Sequence, residues 1–380
     1  MEQRHTLPSF ESVKDLTRIL PKDECVWEIL RRTDRPIVLY GTGNGGDKLI
    51  DALSRLDRSP DGVFASDGFV RNRTFHDMPV LSLADAETRF GRDMIILCAF
   101  GSSLPDVMDH MRWLNKNYTF FMPELPLYGG DLFDYTYFTE HVDSLYQAYS
   151  RLTDNESKEL FCQILLYRLS GKIDYLEETE SFAHSLNSLI RPEAVRTALD
   201  GGAFTGDTAR DMLQVFPHMT SLLAAEPDER TFCKLSAFAD SSHGIVYPVH
   251  CALSDTVGNF TFISSGSRGS GIDGRNKRAK TVEIHTETVD SLCCDLSLDL
   301  LKLDIEGEES AALQGAVDTV RRDCPALAVS LYHRSEDLFY LIHQIAGMCG
   351  ENYAYYLRRV PCFPAWDLVL YAIPQRMRKI

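Results

Sequence analysis

Nowhere does the chain approach the roughly 20 consecutive apolar residues of a membrane-spanning helix. Its N-terminus, Met1 to Phe10, is polar and lacks an apolar core of signal-peptide length, so the expectation is a cytoplasmic protein. Positive charge is scarce: 39 Lys and Arg stand against 55 Asp and Glu, a formal net charge of −16. Phosphate recognition needs clustered Lys and Arg, so neither nucleic acid nor an anionic membrane is an expected partner. The basic runs are short (Arg275 to Lys280, Arg321-Arg322, Arg358-Arg359, Arg376 to Lys379) and read as solvated faces. Cysteine is present ten times but never as Cys-x-x-Cys, which excludes the usual zinc spacing and gives no disulfide framework. Reduced, mostly buried thiols are expected, with Cys98, Cys251 and Cys324 in apolar, strand-like contexts.

The apolar (44%) and charged (25%) fractions are those of a globular protein, and 380 residues allow two or three domains. The organising stretch is Ala198-Leu-Asp-Gly-Gly-Ala-Phe-Thr-Gly-Asp-Thr208. An apolar run from Val195 to Leu199 ends at Asp200 and breaks into Gly201, Gly202 and Gly206. Thr205, Asp207 and Thr208 offer caps for a helix through Met212, Leu213 and Val215. Strand, glycine turn, helix is the reading, and in an open α/β sheet ligands lie at such strand ends. A second apolar run, Thr220 to Ala225, ends in Glu226-Pro227, where an acid can accept both ribose hydroxyls of a nucleoside. Gly244 to Val249 lead into Cys251-Ala-Leu-Ser-Asp255. Leu300-Leu-Lys-Leu-Asp-Ile-Glu-Gly-Glu-Glu309 is a further apolar strand that turns acidic before a helix from Ala311 to Ala316.

Asp-Gly-Gly-Ala-Phe-Thr-Gly-Asp (200–207), Glu226-Pro227, Ala252-Leu-Ser-Asp255, Glu287-Thr-Val-Asp290 and Lys302-Leu-Asp-Ile-Glu-Gly-Glu308 follow one another in an order and spacing that match a known family over roughly residues 150 to 375. In these segments the chain resembles the FkbM-type family of S-adenosylmethionine-dependent methyltransferases. The resemblance implies a class I methyltransferase fold: a mostly parallel seven-stranded sheet closed by an antiparallel hairpin, here Tyr353 to Leu357 and Asp367 to Ala372. It implies that Asp200, Gly201, Gly202, Ala203 and Gly206 frame the methionine part of S-adenosylmethionine. By the same resemblance Glu226 and Pro227 take the ribose, and Ala252 and Leu253 line the adenine. Related chains often carry a His near Arg359 and an acidic-Thr pair before the last strand. Arg358-Arg359 and Trp366-Asp367 stand there instead, so the acceptor end differs.

Methyl transfer to a hydroxyl needs a base close to the methyl. Asp304 at its strand end is the first candidate, with His333 after the next strand (Ala326 to Leu331) and Glu306 beside them. The same acids have two other readings. They could be hard oxygen ligands for magnesium or calcium, leaving a divalent metal open with no ligand set assigned. Glu308 and Glu309 could instead favour the start of the following helix, which is the preferred reading for that pair.

Ahead of this unit lies a smaller one. A helical lead-in (1–34) precedes the strand Ile37-Val-Leu-Tyr40, followed by Gly41-Thr-Gly-Asn-Gly-Gly46 and a helix with Leu49, Ile50 and Leu53. That is a Gly-x-Gly-x-x-Gly in its required context. Gly62 to Ala65 ends at Ser66-Asp67, where a ribose acid would stand, and Met78 to Ser82 and Met94 to Cys98 add strands. The unit resembles Rossmann-like nucleotide-binding domains, with Gly41, Gly43, Gly46 and Asp67 as the nucleotide residues. Close helix–strand packing explains the same glycines equally well. The overall expectation is α/β with two Rossmann-like units: residues 1–126, a helical bridge 127–190, and a methyltransferase domain 191–380.

In the bridge, Thr153-Asp-Asn-Glu156 reads as a capping box, Gly171 as a helix stop, and the stripe from Phe133 to Tyr149 as interdomain core. Ser264 to Gly274 has linker composition and reads as a loop near the pocket mouth. The favoured function is O-methylation of a sugar, glycan precursor or secondary-metabolite hydroxyl, with a small-molecule or carbohydrate acceptor as partner and self-association left open. The alternatives are a nicotinamide- or nucleotide-sugar-binding protein acting through Gly41 to Gly46, or a silent methyltransferase-like scaffold.

Overall fold

The computed structural model describes residues 19–70, 73–177, 179–264 and 280–379. Most of the lead-in and most of the glycine- and serine-rich stretch with its basic run therefore lie outside the described residues.

Two parallel-dominated sheets carry the chain. The first is built from β1 (Ile37–Tyr40), β2 (Gly62–Phe64), β3 (Thr74–Phe75), β4 (Met78–Leu81), β5 (Ile95–Cys98) and β6 (Thr119–Phe121), in the order β3-β4-β2-β1-β5-β6. All pairings are parallel except β3 with β4. β1 and β5 are buried at every position, as unbroken apolar runs must be when helices cover both faces of a sheet.

The second sheet holds β7 (Thr197–Gly201), β8 (Ser221–Ala225) and β9 (Val246–Val249) on one side. A three-stranded insertion follows: β10 (Ala252–Leu253), β11 (Gly258–Ser264) and β12 (Lys280–Glu287), ordered β10-β12-β11. The chain then crosses to β13 (Leu300–Leu303), β14 (Ala326–Ser330), β15 (Tyr353–Arg359) and β16 (Leu368–Pro374). The seven strands are ordered β15-β16-β14-β13-β7-β8-β9, with β16 antiparallel to both its neighbours. This is the closing hairpin and class I methyltransferase sheet that the sequence implied. β11 and β12 were not anticipated, because the linker composition between them drew attention away from the alternating residues on either side.

Strand order reverses between β7 and β13, so the crossovers leave the sheet in opposite directions and open a crevice at those two carboxyl ends.

The bridge consists of helices Tyr135–Arg151, Asn155–Ser170 and Phe182–Leu189. Its side chains share one apolar core with both sheets: Phe138, Phe161, Tyr167, Ile96 and Leu301 belong to a single buried cluster. Gly171 ends the middle helix at φ +67°, as its sequence position indicated. The cap differs from expectation by one residue. Asp154 accepts the Ser157 N–H, while Thr153 is drawn away: its N–H donates to the Tyr355 carbonyl and its hydroxyl accepts the Tyr355 N–H, both at 2.8 Å.

Arg358-Arg359 is a second correction, since neither side chain is a solvated face. Arg358 is buried against Asp154, Glu156 and Glu180 at 2.8, 3.0 and 3.4 Å. Arg359, 1% exposed, donates to the carbonyls of Leu176 and Cys362, and burial pushes its pKa down to about 10. A third correction is Cys324, which is exposed and ends a helix with φ +47°. Among the described residues, no helix is long and apolar enough to cross a membrane.

Candidate active site

The glycine turn is shaped by what it must pass. Gly202 has φ +73°, and a Cβ there would lie 1.9 Å from the backbone oxygen of Asp304. Gly206, at φ +83°, is crowded by the Phe238 ring in the same way. Both positions therefore need glycine on two counts, conformation and space. Gly206 itself caps the helix Asp207–Val215, with no side-chain cap bond. The caps expected from Thr205, Asp207 and Thr208 do not form; Thr208 Oγ1 instead donates to Asp200 Oδ2 at 2.5 Å.

Asp200 is wholly buried and does not line the cleft. Its Oδ1 lies 2.9 Å from Lys302 Nζ, which also donates to the carbonyls of Gly201 (3.1 Å) and Gly202 (2.9 Å). Burial works against the Lys302 charge, but Asp200 outweighs it and holds the ammonium's pKa up. Asp200, Gly201, Ala203 and Gly206, all expected to frame a ligand directly, thus sit behind the wall and shape it.

That wall bounds a cleft of about 1060 Å³. Its lining includes Gly202, Phe204, Glu226, Pro227, Ala252 and Leu253. Glu226 is 7% exposed; its Oε2 accepts the Phe204 N–H at 3.0 Å and its Oε1 the Asp228 N–H at 2.8 Å. Burial lifts this carboxyl to a pKa of about 7. The two amides fix its orientation and leave further lone pairs for a hydroxyl donor.

The same lining includes Asp304, Glu306, Glu308 and Tyr332, with Tyr128 from the bridge. Burial acts to raise Asp304, but Lys302 and His333 outweigh it and hold the carboxyl below its usual range. Tyr332 donates to Asp304 Oδ1 at 2.9 Å, and Tyr128 donates to Glu306 Oε2 at 2.5 Å. His333 is fully buried behind this pair. Its Nε2 lies 3.5 Å from both Asp304 Oδ1 and Glu306 Oε2, and its Nδ1 lies 3.0 Å from Glu309 Oε1. Burial opposes the imidazolium, yet the three carboxylates, Glu309 foremost, raise its pKa to about 10.

His333 does not line the cleft, so it does not meet an acceptor directly. Glu308 and Glu309 stand at the start of the helix Glu309–Gln314, as expected, but without a side-chain cap bond, and Glu309 faces the core. It is 1% exposed, turned inward, and accepts the Ile305 N–H at 2.8 Å, whereas Glu308 stays at the cleft beside Arg334. Lys302, Tyr332 and Tyr128 were not singled out in the sequence. Lys302 left a signal, a charge inside an apolar strand; Tyr128 left none, being far from the motif in sequence.

In the smaller unit, the glycine turn is closely packed. A Cβ on Gly45 would lie 1.9 Å from the Ala99 carbonyl oxygen, one on Gly41 2.6 Å from Phe100, and one on Gly46 2.9 Å from Phe75. Gly43, at φ +131°, has open space around it. Nothing is described of the Asp67 side chain.

Residues 201–355 match the family model described as Methyltransferase FkbM domain. This part of the chain belongs to the FkbM methyltransferases. The FkbM domain so defined runs from the end of β7 into β15 and contains Glu226, Asp304, Glu306 and His333. No curated protein matches the chain. Among solved structures, methyltransferase FkbM from Methylobacillus flagellatus KT superposes over 94% of this chain and 96% of its own, with TM-score 0.69 and 20% identity. The likeness spans both units. Fibrillarin from Aeropyrum pernix, solved in complex with natively bound S-adenosyl-L-methionine, covers 50% of this chain and 73% of its own (TM-score 0.32, 15% identity). Precorrin-6y C5,15-methyltransferase from Geobacter metallireducens covers 52% and 94% (TM-score 0.34, 8% identity).

Proposed function

We propose that the cleft binds S-adenosylmethionine between Gly202 and Glu226, and that the enzyme methylates a hydroxyl of a small molecule, a sugar, glycan precursor or secondary metabolite. The observation that carries this reading is Glu226: a buried carboxylate at the end of β8, aimed by two backbone amides, in one cleft with the acids that follow β13. The residues fit the cofactor. The turn at Gly202 brings bare backbone to the cleft, Glu226 accepts the ribose hydroxyls, and Ala252 and Leu253 offer an apolar slot for a base.

When bound, the cofactor supplies an electrophilic methyl group on a sulfonium. The protein's own work is then placement and proton removal. Lys302 holds the turn through the Gly201 and Gly202 carbonyls and so fixes one wall of the cleft. Asp304 and Glu306 face the acceptor end, each oriented by a tyrosine hydroxyl, and one of them takes the proton that the hydroxyl loses. His333, behind both, favours their ionised forms: with Lys302 it holds Asp304 down, while burial still raises Glu306. The smaller unit's glycine turn serves packing: the contact at Gly45 supports that use over a bound nucleotide.

Calorimetric titration with S-adenosylhomocysteine tests the reading. Micromolar binding by wild type, about −8 kcal/mol, that Glu226→Ala abolishes is the expected result. Methyl transfer to a panel of hydroxyl acceptors should then fall with Asp304→Asn. Wild type that binds no S-adenosylhomocysteine, or full methyl transfer by both variants, overturns it.

A further inference from the structure

Behind the acceptor end lies a cluster with more negative charge than its partners neutralise. Asp304, Glu306 and Glu309 surround His333, so three carboxylates face one imidazolium and a charge of −2 is left over. Lys302, the next nearest cation, is already engaged with Asp200 and two carbonyls.

Two atoms in this cluster are unsatisfied in a way that calls for an occupant. Glu309 Oε2 is buried without a hydrogen-bond partner, although Oε1 of the same group accepts the Ile305 N–H. Both ring nitrogens of His333, a fully buried side chain, are close to carboxylates but not aligned to hydrogen-bond with them. Leaving buried polar atoms this way is unfavourable, and an ion is one of the ordinary reasons they persist.

Asp304, Glu309 and His333 each offer one ligand atom, and these atoms lie within 4.8 Å of one another. We propose that these three side chains hold a divalent first-row metal ion at the base of the cleft. One imidazole nitrogen with two carboxylate oxygens suits manganese or a neighbouring metal better than magnesium or calcium, which prefer oxygen alone. Binding releases the imidazolium's proton to solvent, and the +2 ion takes the place of that single positive charge among the three carboxylates. Asp304 is the only one of the three that lines the cleft, so the ion would enter past it and present an open position toward the acceptor. Glu306, 3.5 Å from His333 Nε2 and held by Tyr128, then remains to take the acceptor's proton. The inference rests on the proposed methyl transfer for the use of the ion, not for its binding.

The test is Mn²⁺ titration of the chelator-stripped full chain, followed by the electron paramagnetic resonance sextet of the free ion. The expected result is loss of one equivalent of free signal in wild type. Asp304→Asn, at the cleft wall, and Glu309→Gln should each weaken binding by about tenfold or more. Circular dichroism and S-adenosylhomocysteine titration of the same samples establish that each variant is folded. A sextet that wild type never attenuates overturns the inference and leaves His333 as an imidazolium in an acidic cage; so does Mn²⁺ binding that folded Asp304→Asn retains undiminished. S-adenosylhomocysteine binding without Mn²⁺ binding removes the metal alone. Mn²⁺ binding without S-adenosylhomocysteine binding removes the cofactor reading and keeps the metal site.

Discussion

Lys302 and Asp200 form an ion pair of 2.9 Å inside the sheet, one on β13 and the other on β7, neighbours across the point where strand order reverses. The pair is 4% and 0% exposed, and its ammonium also ties down two carbonyls of the glycine turn. Removing one partner strands the other charge in the core, which costs about 3–5 kcal/mol. Lys302→Met should therefore destabilise the chain by that order in urea unfolding and abolish S-adenosylhomocysteine binding. Adding Asp200→Asn to it should recover part of the stability; a double variant as unstable as the sum of the singles would deny the coupling.

Glu226 carries a pH dependence. Burial raises its carboxyl to about 7, and the ionised form is the better acceptor for ribose hydroxyls. S-adenosylhomocysteine affinity should therefore rise by about tenfold from pH 6 to pH 8. Glu226→Gln should bind weakly at both. For the fold the sign is opposite: a raised carboxyl contributes stability that is full below the ordinary carboxylate range and is lost as pH climbs through about 7. Thermal melts of wild type and Glu226→Gln should thus converge at low pH and separate above 7, with the variant the more stable.

Tyr128→Phe removes the hydroxyl that donates to Glu306 at 2.5 Å and leaves the ring in place. A bond to a charged group at a partly open site is worth about 1.5 kcal/mol, roughly tenfold in rate. With an acceptor from the hydroxyl panel, kcat should fall about tenfold while S-adenosylhomocysteine affinity stays within about twofold. Equal loss in both would assign Tyr128 to cofactor binding instead.

Gly45→Ala separates the two uses of the smaller unit's glycines. Its Cβ would lie 1.9 Å from the Ala99 carbonyl, and overpacking of this kind costs about 1–3 kcal/mol. Thermal unfolding should shift downward, with S-adenosylhomocysteine binding by the folded fraction unchanged. An undiminished melting temperature would deny the packing use.

The parallel strands of both sheets were legible because β1 and β5 are unbroken apolar runs, while β7 and β13 are mostly apolar and lead into Asp200-Gly201 and Asp304. Glu226 and Asp304 were legible as acids at strand ends, since such positions face a crevice in this architecture. What escaped depends on distance or on competition between groups. Tyr128 meets Glu306 across 178 residues of chain. Asp200 sits in the right turn, yet Lys302 and Thr208 pull its carboxylate inward. Arg358-Arg359 looks like surface until Asp154, Glu156 and Glu180 arrive from the bridge to pair with the first arginine.

That last encounter bears on the outer edge of the larger sheet. β15 is the outermost strand of its sheet, and an uncovered edge is a template on which another chain can add a strand. Here Thr153 exchanges hydrogen bonds with Tyr355, Ser157 accepts the Leu357 N–H, and Arg358 is clamped by acids of the bridge. The bridge thus acts as a guard rail along the methyltransferase sheet. A fragment cut to residues 191–380 would keep every acid of the cleft and yet expose this edge, and it should aggregate strand to strand more readily than the intact chain.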